Sequence, residues 1–248
     1  NQGRAEAYRR QLPTMVTEWR KSFQKDDLAF LAVQLPAFGK VRDWPRSPWA
    51  EMRESIALLE KSLPYTATVV STDCGLPNEI HPPLKKPIGQ RLALAARAKV
   101  YREKELVWSG PTFRKAEFKD GKAIIYFDHI GSGLVAKDGP LTGFTLAGMD
   151  EKRAIGKAIV RAREHKFQQA TAKIVGDTVV VKSDAVTEPV AVRYAWQDSP
   201  IANLWNKEGL PTGSFRSDTW RLQTQAIIRK PLVLKEGGTP EKPAIFYD

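Results

Sequence analysis

Cysteine is nearly absent: Cys74 stands alone, so no disulfide can form within the chain and thiol usage does not reveal the compartment. A lone cysteine of this kind is more often an inert packed residue than a nucleophile. No run of about 18 or more apolar residues occurs, which leaves no segment able to span a bilayer as a helix. The first residues are polar and charged where a signal peptide needs an apolar stretch. Histidines number three, and no His/Cys/Asp cluster has zinc or calcium spacing, so no metal and no other cofactor is expected. Zinc-knuckle, helix-turn-helix and RRM signatures are also missing. The net charge of +11 is spread over isolated residues and pairs such as Arg9-Arg10 and Lys85-Lys86, the pattern of a solvated surface and not of a nucleic-acid interface. What is present is a chain of 248 residues that is 42% apolar, enough for a packed core in one large domain or two ordinary ones.

Tyr8, Leu12, Met15, Val16, Trp19 and Phe23 recur at spacings of three and four, which predicts an amphipathic helix. Leu28 to Leu35 is a continuous apolar run closed by Pro36, as in a parallel strand covered on both faces. A helix from Pro48 to Leu63 follows, with Met52, Ile56, Leu59 and Leu63 on one face. Tyr65 to Thr72 is a second, β-branched strand, and Ile88 to Tyr101 a further helix with Ile88, Leu92, Ala95, Ala96 and Val100 inward. This alternation is that of an α/β unit with parallel strands. Two strands do not complete a core between helix layers, so the chain is expected to begin inside a domain.

Beyond Trp108 the period changes to short alternating runs broken by Gly, Pro and Asp, which predicts antiparallel β structure. Ala123–Phe127, Gly143–Ala147, Thr178–Lys182 and Val190–Trp196 are its clearest strands, and Asp120-Gly121 makes a tight hairpin turn after Ala116–Phe118. Glu151 to His165 is basic and compatible with a helix. The expected fold class is therefore α/β: the C-terminal half of a parallel α/β domain over residues 1–108, an antiparallel β-sandwich-like domain over 109–221, and a C-terminal extension over 222–248 packed as an arm across one of them.

Open α/β sheets bind ligands at the carboxyl ends of their parallel strands, which selects Gln34 and the loop from Asp73 to Pro83. That loop holds His81 with Glu79 two residues and Asp73 eight residues before it. An imidazole beside a carboxylate is what a general base requires, because the carboxylate fixes the tautomer and stabilises the imidazolium. Glu79 reaches His81 if the loop is extended, since residues i and i+2 then share a side. Asp73 is the alternative, returning from the strand end. Asn78, three residues before His81, is an amide and gives no charge stabilisation. His129 and His165 are expected to pack or face solvent.

These segments resemble the sialate O-acetylesterase family of SGNH-type serine esterases. The resemblance rests on Glu79-Ile80-His81-Pro82, on Lys85, Gly89 and Arg91-Leu92-Ala93-Leu94, and upstream on Gln34-Leu35-Pro36 with Trp44 and Arg53. Downstream it rests on Gly110-Pro111, Leu146-Ala147-Gly148, Gly176 to Val181, Val190 to Trp196, Asn203-Leu204-Trp205-Asn206 and Gly209-Leu210-Pro211. The family usually has Asp where Glu79 stands, lacks about a helix's length near Asp150 to His165, and ends near Trp220. Its nucleophile is the serine of a Gly-Gln-Ser-Asn box, which this sequence does not contain; Asn1 matches the last residue of a second box, Gly-Glu-Ser-Asn. The resemblance implies hydrolysis of an acetyl ester on a sugar, commonly the 9-O-acetyl group of sialic acid, through an acyl-serine. It also implies His81 as base; of the residues selected above, Glu79 or Asp73 is the expected acid and Gln34 the expected substrate contact. An N-terminal segment or chain would supply the serine, in a periplasmic or secreted enzyme. Acetylated xylan or another glycan is the alternative substrate. A catalytically inactive carbohydrate-binding module, using some of the seven Trp and six Tyr for stacking, is the alternative of a different class.

Overall fold

A computed structural model describes residues 2–40, 46–149 and 166–225, with the strands at 152–155, 158–161, 227–228 and 245–246. Trp44 and His165 lie outside the described residues. None of the described helices is long and apolar enough to cross a membrane.

The first part is built on two short parallel strands, β1 (Phe30–Val33) and β2 (Thr66–Val69), paired in register from Phe30↔Thr66 to Val33↔Val69. Helices α1 (Ala5–Ser22), α2 (Pro48–Ala57) and the short α3 (Leu59–Ser62) supply one packed cluster, in which Leu12, Val16, Met52, Ile56 and Leu59 meet Phe30, Ala32 and Leu35. Helix α4 (Lys85–Lys99) supplies another, with Ala95, Ile88 and Leu92 against Leu31, Ala67 and Val69. All of β2 is buried, whereas β1, the segment expected to be covered on both faces, is only half-buried and Val33 is exposed. Both helix clusters use the β1 side chains, but nothing among the described residues pairs with its outer edge. The outer edge of β2 is blocked instead, because the Glu60 carboxylate accepts the Thr68 N–H at 2.5 Å and the Thr68 hydroxyl at 2.7 Å.

Local chemistry accounts for the helix boundaries. Ser47 caps α2 by accepting the Ala50 N–H at 2.8 Å, and Pro48 occupies the first turn, where its missing donor costs nothing. The helix expected to continue to Leu63 breaks at Leu58. In α1 the buried stripe runs through Ala5, Leu12, Val16 and Arg20, while Met15, Trp19 and Phe23 stay exposed, contrary to the periodic reading. Arg20 is drawn in because its guanidinium donates to Leu28 O at 3.0 Å and Pro64 O at 2.7 Å.

The second part holds two antiparallel four-stranded sheets. One contains β3 (Thr112–Lys119) and β4 (Lys122–Asp128), and β5 (Leu134–Ala136) follows outside it. The other contains β6 (Phe144–Gly148). A hairpin of β7 (Lys152–Ile155) and β8 (Ala158–Arg161) comes next, which replaces the helix expected from Glu151 to His165. The remaining strands are β9 (Phe167–Gln169), β10 (Thr171–Val175), β11 (Thr178–Lys182), β12 (Pro189–Tyr194), β13 (Leu204–Asn206) and β14 (Phe215–Arg216). Strand orders are β10-β11-β4-β3 and β14-β12-β6-β9, with β13 paired to β5 and a last pair formed by β15 (Ile227–Ile228) and β16 (Ile245–Phe246). Ile125, Phe127, Val179 and Val181 from one sheet meet Phe144, Leu146, Val192 and Tyr194 from the other in a shared core, the arrangement of a β-sandwich. The β3–β4 turn is Asp120-Gly121, with φ of 51° and 70°, as a two-residue primed turn requires.

Arg53 joins the two parts. It is fully buried and donates to Leu35 O at 2.9 Å and Pro36 O at 3.0 Å on one side, and to Gln197 O and Asp198 O, both at 2.7 Å, on the other. Burial pulls its pKa down to about 9, against the pull of Asp198, and leaves it charged at neutral pH. Ser47 donates to Asp198 Oδ1 at 2.5 Å and Arg216 to Glu54 at 3.0 Å across the same junction. Residues 223–224 are held on α2 by Glu51, which accepts from Gln223 N at 2.8 Å, Thr224 N at 3.0 Å and Thr224 Oγ1 at 2.8 Å.

Candidate functional site

Strand β2 runs out at Val69, and the chain enters a single 3₁₀ turn, Thr72–Cys74, before the loop that carries the candidate residues. Gly75 then packs directly on Ala37, the residue after Pro36 at the end of the β1 segment. Leu76 to Glu79 form a turn, closed by Glu79 N–H donating to Leu76 O at 3.2 Å, with Pro77 at the position where its fixed φ suits a turn. Pro77 O accepts the Gly39 N–H at 2.8 Å, so the turn is fastened to the loop after β1.

This turn brings Glu79 and His81 together. Glu79 Oε1 accepts the backbone N–H of His81 at 2.8 Å and lies 3.7 Å from His81 Nδ1. The His81 side chain is 89% exposed, so its other nitrogen is open to a reacting group. A separation of 3.7 Å is beyond a hydrogen bond, within reach of an ion pair when the imidazole is protonated.

Asp73 is held elsewhere. Its two carboxylate oxygens each accept from Arg91, both at 2.7 Å, in a bidentate pair, and Arg91 also donates to Val70 O at 2.8 Å. Asp73 makes no hydrogen bond to His81. Arg91 was legible only as part of a helix motif; its guanidinium lies 5.7 Å from the centroid of the Trp205 ring and so ties the loop to the β-sandwich. Gln34 is buried at the carboxyl end of β1, with Nε2 3.4 Å from Thr68 Oγ1, its N–H on Val69 O at 2.9 Å, and its carbonyl accepting Ser71 Oγ at 2.6 Å.

Cys74 is buried, and its thiol is pushed up in pKa first by burial and then by Asp73, against the pull of Arg91, which keeps it protonated and unreactive. The His129 ring packs edge-on against Trp108 at 5.3 Å. Among the described residues no group of three or more His, Cys, Asp or Glu is placed to hold a metal ion.

No protein-family model matches the chain, and no curated protein matches it. Among solved structures it is similar to a carbohydrate acetylesterase from Xanthomonas citri, with 44% sequence identity and a TM-score of 0.75 over 86% of this chain. The match covers 46% of that structure's own chain, so the present sequence spans about half the length of the protein it resembles.

Proposed function

We propose that this chain carries the general base and the orienting acid of a carbohydrate O-acetylesterase that works by a Ser-His-acid mechanism. The observation that carries the reading is the exposed His81 with Glu79 beside its Nδ1, on the loop after a parallel strand, in a chain 44% identical to a carbohydrate acetylesterase. Glu79 is the acid in this reading, because both oxygens of Asp73 are engaged by Arg91. Asp73 becomes a positioning residue that anchors the start of the loop, and Gln34 approaches the substrate from the end of β1. The serine belongs to an SGNH-type N-terminal segment outside these 248 residues, which contain no Gly-Gln-Ser. Residues 1–108 belong to that esterase domain, 109–221 form the β-sandwich domain, and 222–248 are an extension. The whole enzyme is placed in the periplasm or outside the cell.

The chemistry follows from that arrangement. The nitrogen of His81 that faces away from Glu79 takes the proton of the serine hydroxyl as its oxygen attacks the acetyl carbonyl, while the Glu79 charge stabilises the imidazolium. Backbone N–H groups of the serine-bearing segment hold the oxyanion. The imidazolium then returns its proton to the departing sugar oxygen, leaving acetyl-serine, and the same nitrogen deprotonates the water that releases acetate. The substrate proposed is an O-acetylated sialic acid carrying the ester at its 9-position.

Acetate release tests the reading. The chain joined to, or mixed with, the serine-bearing segment is expected to release acetate from 9-O-acetylated sialic acid, and the 248-residue chain by itself to release essentially none. Turnover by the isolated chain contradicts the two-part site. Turnover of acetylated xylan in place of the sialic acid ester keeps the esterase and removes the sialate.

A further inference from the structure

The outward face of the sheet β10-β11-β4-β3 collects lysines that stand apart in the sequence. Its register sets Lys119 of β3 opposite Lys122 of β4, and Lys122 opposite Lys182 of β11. Directly opposed residues of antiparallel strands point to the same side, with Cβ atoms about 5 Å apart. The neighbouring Ala123 and Val181 are buried in the core, so the three lysines point to solvent, and all three are exposed. Lys173 of β10, opposite Val180, adds a fourth exposed charge one row further along the same face.

Like charges set directly opposite each other destabilise a strand pair. Among the described residues nothing offsets them, since none of the four lysines makes an ion pair. The two carboxylates that these strands place on the same face are taken by other cations, Glu117 by Lys115 at 2.5 Å and Asp128 by Arg114 at 3.7 Å. Protection of a sheet edge accounts for Lys119 and Lys173 but not for Lys122 and Lys182, because β4 and β11 are the inner strands. A row of cations that costs the free protein stability and lies open to solvent fits an anion. It crosses three strands, about 10 Å, which is long for a single phosphate or carboxylate and suits a polymer with repeated charges. Lysine offers a compact charge on a flexible stem and not a flat fork, so successive carboxylates of differing direction can each be met. Beside the row, Ile124 and Val180 stand opposite one another and half-buried, an apolar strip for C–H surface.

We propose that this face of the β-sandwich binds an acidic polysaccharide, a chain of uronic acid units, as an anchoring surface that shares no residue with the His81 loop. That the ligand is a glycan rests on the carbohydrate reading above; that it is a polyanion rests on Lys119, Lys122 and Lys182.

The test uses polygalacturonate without acetyl groups, so that it does not depend on ester cleavage, titrated against the 248-residue chain by calorimetry. Saturable binding is expected that weakens as salt is raised, with no binding of neutral dextran. Changing the row together, Lys119→Gln with Lys122→Gln and Lys182→Gln, is expected to weaken binding at least about ten-fold, and the three changes to Arg to retain it. Lys25→Gln with Lys61→Gln and Lys104→Gln removes the same net charge from exposed positions elsewhere and is expected to bind as wild type. Because the row repels itself, its Gln variant is also expected to melt at or above the wild-type temperature. No binding of polygalacturonate, an equal loss in the two Gln variants, or a row variant that melts well below wild type overturns the proposal. Duplex DNA or phosphatidylserine vesicles held through the same lysines as tightly as polygalacturonate also overturn it, because the surface then serves a nucleic acid or a membrane. Polygalacturonate binding by a complete enzyme that releases no acetate counts against the esterase reading and leaves the surface in place.

Discussion

A Cβ at position 75 would lie 2.1 Å from Ala37 O and 2.4 Å from Ala37 N. The φ of Gly75 is −84°, an ordinary value, so closeness of two backbones and not conformation demands glycine. Gly75→Ala therefore has to lift the loop off Ala37, and with it the turn that aims Glu79 and His81. It is expected to cost about 1–3 kcal/mol, read as a lower melting temperature, together with a fall in kcat of the complete enzyme beyond the loss of folded protein. The two carboxylates separate by a different experiment. Glu79→Gln is expected to lower kcat by roughly three orders of magnitude, since it leaves His81 without a counter-charge. Asp73→Asn is expected to cost stability, about 2 kcal/mol for a pair less than fully buried, and far less kcat per folded molecule. The reverse pattern reassigns the acid to Asp73. The nearness of Glu79 and His81 was legible from their i, i+2 spacing. The engagement of Asp73 was not, because its partner Arg91 lies on a helix 18 residues away and nothing local encodes the pairing.

Helix α2 and the β3–β4 hairpin were legible because each carries its own signal, Ser47-Pro48 at a helix start and Asp120-Gly121 at a turn. The β7–β8 hairpin was misread as helix. Its signals were β-branched Ile155, Ile159 and Val160, and the two residues Gly156-Lys157 between paired runs, and a dense set of basic residues masked them. In the second sheet, β12 and β14 are held at one end by a buried ion cluster: Asp218 accepts from Arg193 at 2.8 Å and from Arg216 at 3.1 Å. Burial by itself would raise the Asp218 pKa, but the hydrogen bond and charge of Arg193, with Arg216, outweigh it and hold the carboxyl below its ordinary value. A depressed folded-state pKa stabilises the fold above the unfolded value, and that contribution is lost as pH falls through the folded one. Asp218→Asn is expected to cost about 3–5 kcal/mol at pH 7 and to flatten the loss of stability below about pH 4. Urea unfolding of both proteins at neutral and acid pH checks it, and a variant as acid-sensitive as wild type contradicts it.

On the scale of the whole molecule, the division into an α/β part and a β part shows in the change of hydrophobic period near Trp108, whereas the seam between them does not. Arg53 reaches Gln197 and Asp198 more than 140 positions away, and Glu51 holds Thr224, contacts that no periodic pattern announces. The His81 loop is fastened to the loop after β1 through Gly39 and Pro77, and Arg91, which holds Asp73, reaches across the seam to Trp205. Under the proposed mechanism such anchoring would hold the base while the serine comes from another segment. The central claim is that His81 is that base, and the direct measurement is kcat for acetate release by the complete enzyme with His81→Ala. The account predicts a fall of about three orders of magnitude or more with KM little changed. A variant that keeps more than about a tenth of wild-type kcat, a tolerance that no triad base shows, contradicts it.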